Sequence, residues 1–216
     1  MGHTSNYEMK KAILDLLDKL NGIDYINPES IPNIDLYMDQ ITSFMDDQLE
    51  MSKRREDDKL LTKTMINNYT KNDLLPPPVK KKYSKEHLLC LIFIYYLKNI
   101  LSINDIQTVL NPITDKYFGN KDGFNMEDIY KEIFVMEKEE STKVLKEFTK
   151  KYQIAKSTFT EFPVDDQELL QTFSFICLLS FDIYMKKQMI EKMIDDVLSP
   201  DKTERTADNS DWNNES

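Results

Sequence analysis

Leu61-Thr-Lys-Thr-Met-Ile-Asn-Asn-Tyr-Thr-Lys-Asn-Asp-Leu-Leu-Pro-Pro-Pro78 combines a short amphipathic helix with a proline stop. At about 100° per residue, Leu61, Met65 and Tyr69 share one face of a helix, with Ile66 at its edge. Thr64, Asn67, Asn68 and Lys71 fall on the opposite face, at i, i+3, i+4 and i+7. Thr62 begins the helix, Asn72-Asp73 ends it, and Pro76-Pro77-Pro78 forbids its continuation. The polar face carries a hydroxyl, two side-chain amides and a cation. Those groups hydrogen-bond base edges and phosphates, and an asparagine can grip adenine with two bonds.

Outward from this stretch, helical spacing recurs and strand-like alternation is scarce. Downstream, Lys80-Lys81-Lys82-Tyr83 leads to Ser84, an N-cap for a helix from Lys85 to about Ile100. That helix is apolar on nearly every side and is expected at the centre of the fold. Ser102 with Asp105 three residues on predicts a short helix to Leu110, closed by Pro112. A turn-rich stretch with Gly119 and Asp122-Gly123 follows. Asn125, with Glu127 and Asp128 behind it, opens a helix to about Gln153, and a second long helix runs from about Asp166 to Leu198. Upstream, Leu36, Ile41, Phe44, Met45 and Leu49 form the inner face of a helix over 36–49, while the doubly charged run 50–59 is a solvated extension or a loop. A first helix is expected over 6–21 with Ile13, Leu16, Leu17 and Leu20 as its stripe, and the acidic tail 199–216 is expected to be disordered. The class is all-α. The chain is expected to divide into an N-terminal helix and linker (1–30), a helix-turn-helix unit (31–110), a helical dimerisation or regulatory half (111–198) and the tail.

The net charge of −10 argues against nucleic acid only if it is spread evenly. It is not. Between Lys53 and Lys98 eleven basic residues face five acidic ones, giving +6 and leaving −16 for the rest. Phosphate binding follows the local potential, so an acidic body with one basic segment is compatible with DNA, at modest affinity and with strong salt dependence.

In order along the chain, Thr62, Ile66, Tyr69, Leu74, Leu75, Pro76, Lys82, Tyr83, Ser84, Ser102 and Ile106 resemble the MerR-type winged helix-turn-helix. That family has a capped recognition helix, a Leu-Leu-Pro exit, a basic wing and two further capped helices. The region 31–110, with Asp35-Leu-Tyr-Met-Asp-Gln40, also resembles a bacterial family of uncharacterised proteins described as MerR-like. The resemblance implies a homodimeric transcription regulator on double-stranded DNA. Thr64, Asn67, Asn68 and Lys71 are then the groove contacts, and Lys63, Lys80, Lys81, Lys82 and Tyr83 the phosphate contacts. Here the wing is several residues shorter, and the arginines usual in the recognition helix are replaced by Asn67 and Thr64. A protein–protein adaptor on a degenerate helix-turn-helix is therefore the alternative. An effector-binding sensor would need an apolar cavity in the second half.

Chemistry needs convergent groups, and the chain offers few. His87 and Cys90 share a helix turn but lack further metal ligands, and Asn120-Lys-Asp-Gly123 lacks oxygen ligands at both ends of a calcium loop. No glycine-rich phosphate loop and no nucleophile motif is present. The expectation is a non-enzyme with no cofactor and no metal. Cys90 and Cys177 are expected as buried thiols. The apolar runs Leu88–Leu97 and Leu169–Met185 are shorter than, or interrupted within, the roughly 20 residues of a bilayer span. A soluble cytoplasmic protein is expected, with helix 169–193 serving as core or dimer interface.

Overall fold

Nine consecutive residues, His87 to Tyr95, are buried, so one helix must be surrounded on all sides. The computed structural model describes residues 25–198. The helix expected over 6–21 and the tail 199–216 lie outside the described residues. Helix α3 (Lys85–Leu97) is the central element, and the others wrap it. Before it come strand β1 (Leu36–Tyr37), helix α1 (Met38–Gln48), helix α2 (Lys63–Lys71) and strand β2 (Lys82–Tyr83). After it come α4 (Ile103–Tyr117), α5 (Met126–Lys156) and α6 (Val164–Met193), the last running into a π-turn at Ile194–Leu198.

The core joins Ile41, Met45 and Leu49 of α1, Ile66 and Tyr69 of α2, Leu74 and Leu75 behind it, and Ile106 and Leu110 of α4. It also takes in Ile26, Met126, Tyr130 and Ile194, and so extends past the helix-turn-helix stretch into the first turns of α5 and the end of α6. Tyr130 donates its hydroxyl to the Ile26 carbonyl at 2.6 Å, tying two ends of this unit that lie 104 residues apart. A second, smaller core of Phe148, Ala155 and Phe175 holds α5 against α6, with Phe148 and Phe175 edge to face at 4.9 Å.

The caps read from the sequence form. Thr62 accepts from the Met65 amide at 3.2 Å, and Ser102 from Asp105 at 3.2 Å. Asn125 accepts from Glu127 and Asp128 at 2.8 and 3.2 Å. At Ser84 the cap is completed by a histidine: His87 Nδ1 accepts the Ser84 amide at 2.9 Å.

Four expectations are corrected, and the alternative left open for the charged run 50–59 is decided in favour of a loop. Leu36 and Tyr37 begin no helix; they pair antiparallel with Tyr83 and Lys82. The central helix stops at Leu97 rather than near Ile100. The short helix does not end before Pro112 but continues through it to Tyr117. Proline costs a helix interior about 3 kcal/mol. The stripe of Ile106, Leu110 and Thr114, with Ile113 and Tyr117 packed on the core, runs on past it. Each large apolar side chain buried contributes about 1.5–3 kcal/mol, so the stripe wins. The charged run after α1 is a hydrogen-bonded loop: Asp58 accepts from the Arg54 and Arg55 amides at 3.1 and 3.0 Å. Cys177 is exposed, whereas Cys90 is buried and its thiol is pushed up by desolvation.

Candidate nucleic-acid interface

The pairing of β1 with β2 brings the chain just before α1 beside the chain just after the proline run. A two-residue hairpin, Val79-Lys80-Lys81-Lys82, projects from that pair. Val79 and Lys82 exchange backbone bonds at 3.0 and 2.9 Å. Lys80 and Lys81 both sit in the left-handed region, with φ of 51° and 65°. This is the geometry of a type I′ turn, which matches the twist of paired strands and normally calls for Asn-Gly. Here two lysines occupy it, and all three lysines of the strip are exposed.

Helix α2 starts close by. Lys63, in its first turn, makes a salt bridge to Asp39 in the first turn of α1. Asp39 lies two residues from Tyr37, and the Lys82 ammonium lies over the half-exposed Tyr37 ring, 5.4 Å from its centroid. Lys63, Asp39, Tyr37 and Lys82 therefore form one connected surface at the starts of both helices. Along α2, Thr64, Asn67, Asn68 and Lys71 are exposed, while Ile66 and Tyr69 face the core.

The far end of α2 is fixed by a Schellman arrangement. Asp73 takes φ 54°, its amide bonds to the Thr70 carbonyl at 3.3 Å, and the Leu74 amide reaches the Tyr69 carbonyl at 2.9 Å. Gln107 of α4 donates to the Asn72 carbonyl, binding this end to the body. The polar face thus rests on a helix held at both ends.

Tyr83 does not join that surface. It is 3 % exposed, its ring is edge-on to His87, and burial pushes its hydroxyl pKa up, opposed by a hydrogen bond with Thr70. The expectation of a phosphate contact is overturned: strand alternation turns Lys82 out and Tyr83 in. Two residues that sequence reasoning passed over enter instead. Tyr37 supplies an aromatic face, and Asp39 supplies an acid that offsets Lys63. Both lie in the Asp35–Gln40 segment quoted for the family resemblance, which was the available signal.

Residues 26–133, half of the 216 residues, match a family described as a domain of unknown function, DUF1836. The chain belongs to the DUF1836 family. No curated protein sequence and no solved structure matches the chain. The matched span coincides with the unit that the Tyr130–Ile26 bond ties together. The DUF1836 domain is thus the head, and most of the α5–α6 hairpin lies beyond it.

His87 and Lys98, two other polar groups in the domain, are already engaged. His87 accepts through Nδ1 from Ser84, and its Nε2 lies 3.4 Å from the Pro77 carbonyl; burial lowers its pKa, and the Pro77 carbonyl opposes that shift. Among the described residues no three His, Cys, Asp and Glu side chains gather as a metal site. A cleft of about 550 Å³ is lined by Lys59, Leu60, Tyr95, Tyr96 and Lys98. Lys98 spends its ammonium on the Leu60 carbonyl at 2.6 Å, and desolvation lowers its pKa.

Proposed function

We propose that this DUF1836 protein is a sequence-specific DNA-binding transcription regulator of the MerR-like winged helix-turn-helix type, cytoplasmic, homodimeric and non-enzymatic. In this reading α2 enters the major groove, with Thr64, Asn67, Asn68 and Lys71 toward base edges. Lys80, Lys81 and Lys82 lie along phosphates, and Lys63 does so after exchanging Asp39 for a phosphate oxygen. The observation that carries the reading is one exposed face: four polar residues of α2 beside a hairpin of three exposed lysines. Helix dipole and charge act together there, because Lys63 and Thr64 occupy the first turn of α2, where unpaired amides favour anions.

One observation favours the adaptor. Lys63 is already paired with Asp39, and the groove-facing residues include no arginine, so the face is less positive than its lysine count suggests. Selection of a randomised duplex library at two salt concentrations separates the two readings. The regulator predicts enrichment of a two-fold symmetric site that Asn67→Ala/Lys71→Ala abolishes. Each lost bidentate base contact costs about 1–3 kcal/mol of discrimination. Neither enrichment nor salt-sensitive retention of DNA would leave the adaptor.

A further inference from the structure

Helix α6 has two apolar faces and uses one. Gln171 and Phe175 are buried against α5, with Leu178 and Leu179 partly covered, and Gln171 caps the end of α5 through bonds to the Lys156 and Thr158 carbonyls at 3.1 and 3.0 Å. Asp182 bridges to Lys151 at 2.9 Å on the same side. The opposite face carries Leu169, Phe173, Ile176, Ile183 and Tyr184, exposed by 71, 62, 55, 62 and 56 %. Leu169, Phe173, Ile176, Ser180 and Ile183 follow one another at spacings of 4, 3, 4 and 3 residues. That alternation is the a/d seam of a coiled coil, which fits a facing helix and no other surface as well. Of the helix expected as core or dimer interface, Phe175 is core, while Phe173, Phe181 and Tyr184 are exposed.

We propose that the outer seam of α6 docks antiparallel against the same seam of a second copy, so that two α5–α6 hairpins form a four-helix bundle. Three observations select this occupant. The first is area: the five exposed side chains present about 600 Å² if each large side chain offers about 200 Å² in full. A stable interface buries about 800 Å² per partner. The second is charge. Asp166 stands at one end of the seam and Lys187 at the other, Lys187 also reaching Glu191 at 3.5 Å, while Glu168 and Lys186 lie toward α5. Antiparallel copies set acid against base at both ends; parallel copies set like against like. The third bears on lipid. Helix α6 with its terminal turn has the length and apolar content of a bilayer span. It lies along α5, however, which carries fourteen charged residues in 31, so a bilayer would have to strip the pair apart.

The inference specifies the dimer in the reading above, and its test contains no DNA, so loss of self-association and loss of DNA binding are read separately. Sedimentation equilibrium of the full chain is expected to give twice 25.5 kDa at micromolar concentration. Phe173→Glu/Ile183→Glu is expected to give 25.5 kDa with unchanged helical circular dichroism, since both side chains are exposed. A monomeric wild type overturns the proposal, as does a variant that stays dimeric or a wild type that is monomeric and floats with phosphatidylglycerol vesicles. If the variant fails to fold, Cys177 decides. It borders the middle of the seam, near the two-fold axis, and Cys90 is buried. Mild oxidation is expected to link two wild-type chains, and Cys177→Ser to prevent it. Absence of the link overturns the antiparallel seam.

Discussion

Replacing Lys80-Lys81 by Asn-Gly should make the protein more stable and bind DNA less well, because the two effects come from different properties of one turn. Both lysines hold positive φ, 51° and 65°. A side chain in the left-handed region costs on the order of 1 kcal/mol. Asparagine tolerates that region better and glycine has no penalty there, although glycine gives back about 0.5–1 kcal/mol through the freedom of the unfolded chain. The net expectation for Lys80→Asn/Lys81→Gly is about 1 kcal/mol of stabilisation, or a Tm rise of roughly 2–4 °C for a chain of this length. The same change removes two cations. If both touch phosphate in each chain of the dimer, four contacts are lost and the slope of log affinity against log salt should flatten by about 3.6. The assays are calorimetry on the free protein and fluorescence anisotropy with a random-sequence duplex across a salt series. Lys80→Arg/Lys81→Arg keeps charge and backbone strain, and should move neither reading much. A lower Tm in the Asn-Gly variant would refute the turn geometry. An unchanged salt slope would remove the hairpin from the phosphate contacts.

Two further outcomes are expected. His87 is held neutral in the fold with a lowered pKa, chiefly by burial, so the unfolded chain takes up its proton first. Its contribution is complete above the ordinary histidine value of about 6.5 and is lost as pH falls from there through the folded pKa. Denaturant titrations should show a shallower loss of stability over that window in His87→Gln, whose amide can still accept the Ser84 amide; an identical pH profile would show that the ring does not titrate between the two states. At the end of α2, Asp73→Gly should raise stability by about 0.5–1 kcal/mol, since φ 54° suits glycine, while Asp73→Ala should gain nothing. Equal midpoints in urea for Asp73→Gly and the wild type would argue against the left-handed cap.

Where local chemistry is decisive, the fold was legible. Thr62, Ser84, Ser102 and Asn125 announce helix starts because their side chains or partners satisfy amides that a helix leaves unpaired, and each begins a helix in the structure. The exposure of Asn67, Asn68 and Lys71 follows from the same periodicity that buries Ile66 and Tyr69. What was not legible depends on the third dimension. Pro112 breaks helices on local grounds, and only the burial of Ile106, Leu110 and Thr114 against the core reverses this. Tyr83 reads as a surface residue beside three lysines until its two-residue strand turns it inward. Leu36-Tyr37 is too short for any alternation and becomes a strand solely through its partner 46 residues later. For α6, apolar residues all round say that both faces want cover, but not that one chain covers only one of them.

The bond from Tyr130 to Ile26 lies one turn into a helix that continues uninterrupted to Lys156. Head and hairpin therefore share a single shaft about 46 Å long, with one end set in the large core and the other in the small one. Such a shaft fixes the angular phase between the polar face of α2 and the outer seam of α6, at about 100° for each residue between them. Because Ile194 returns the end of α6 to the large core, the hairpin is anchored to the head twice, and a change in the length of that middle segment could turn one end relative to the other only by breaking one anchor.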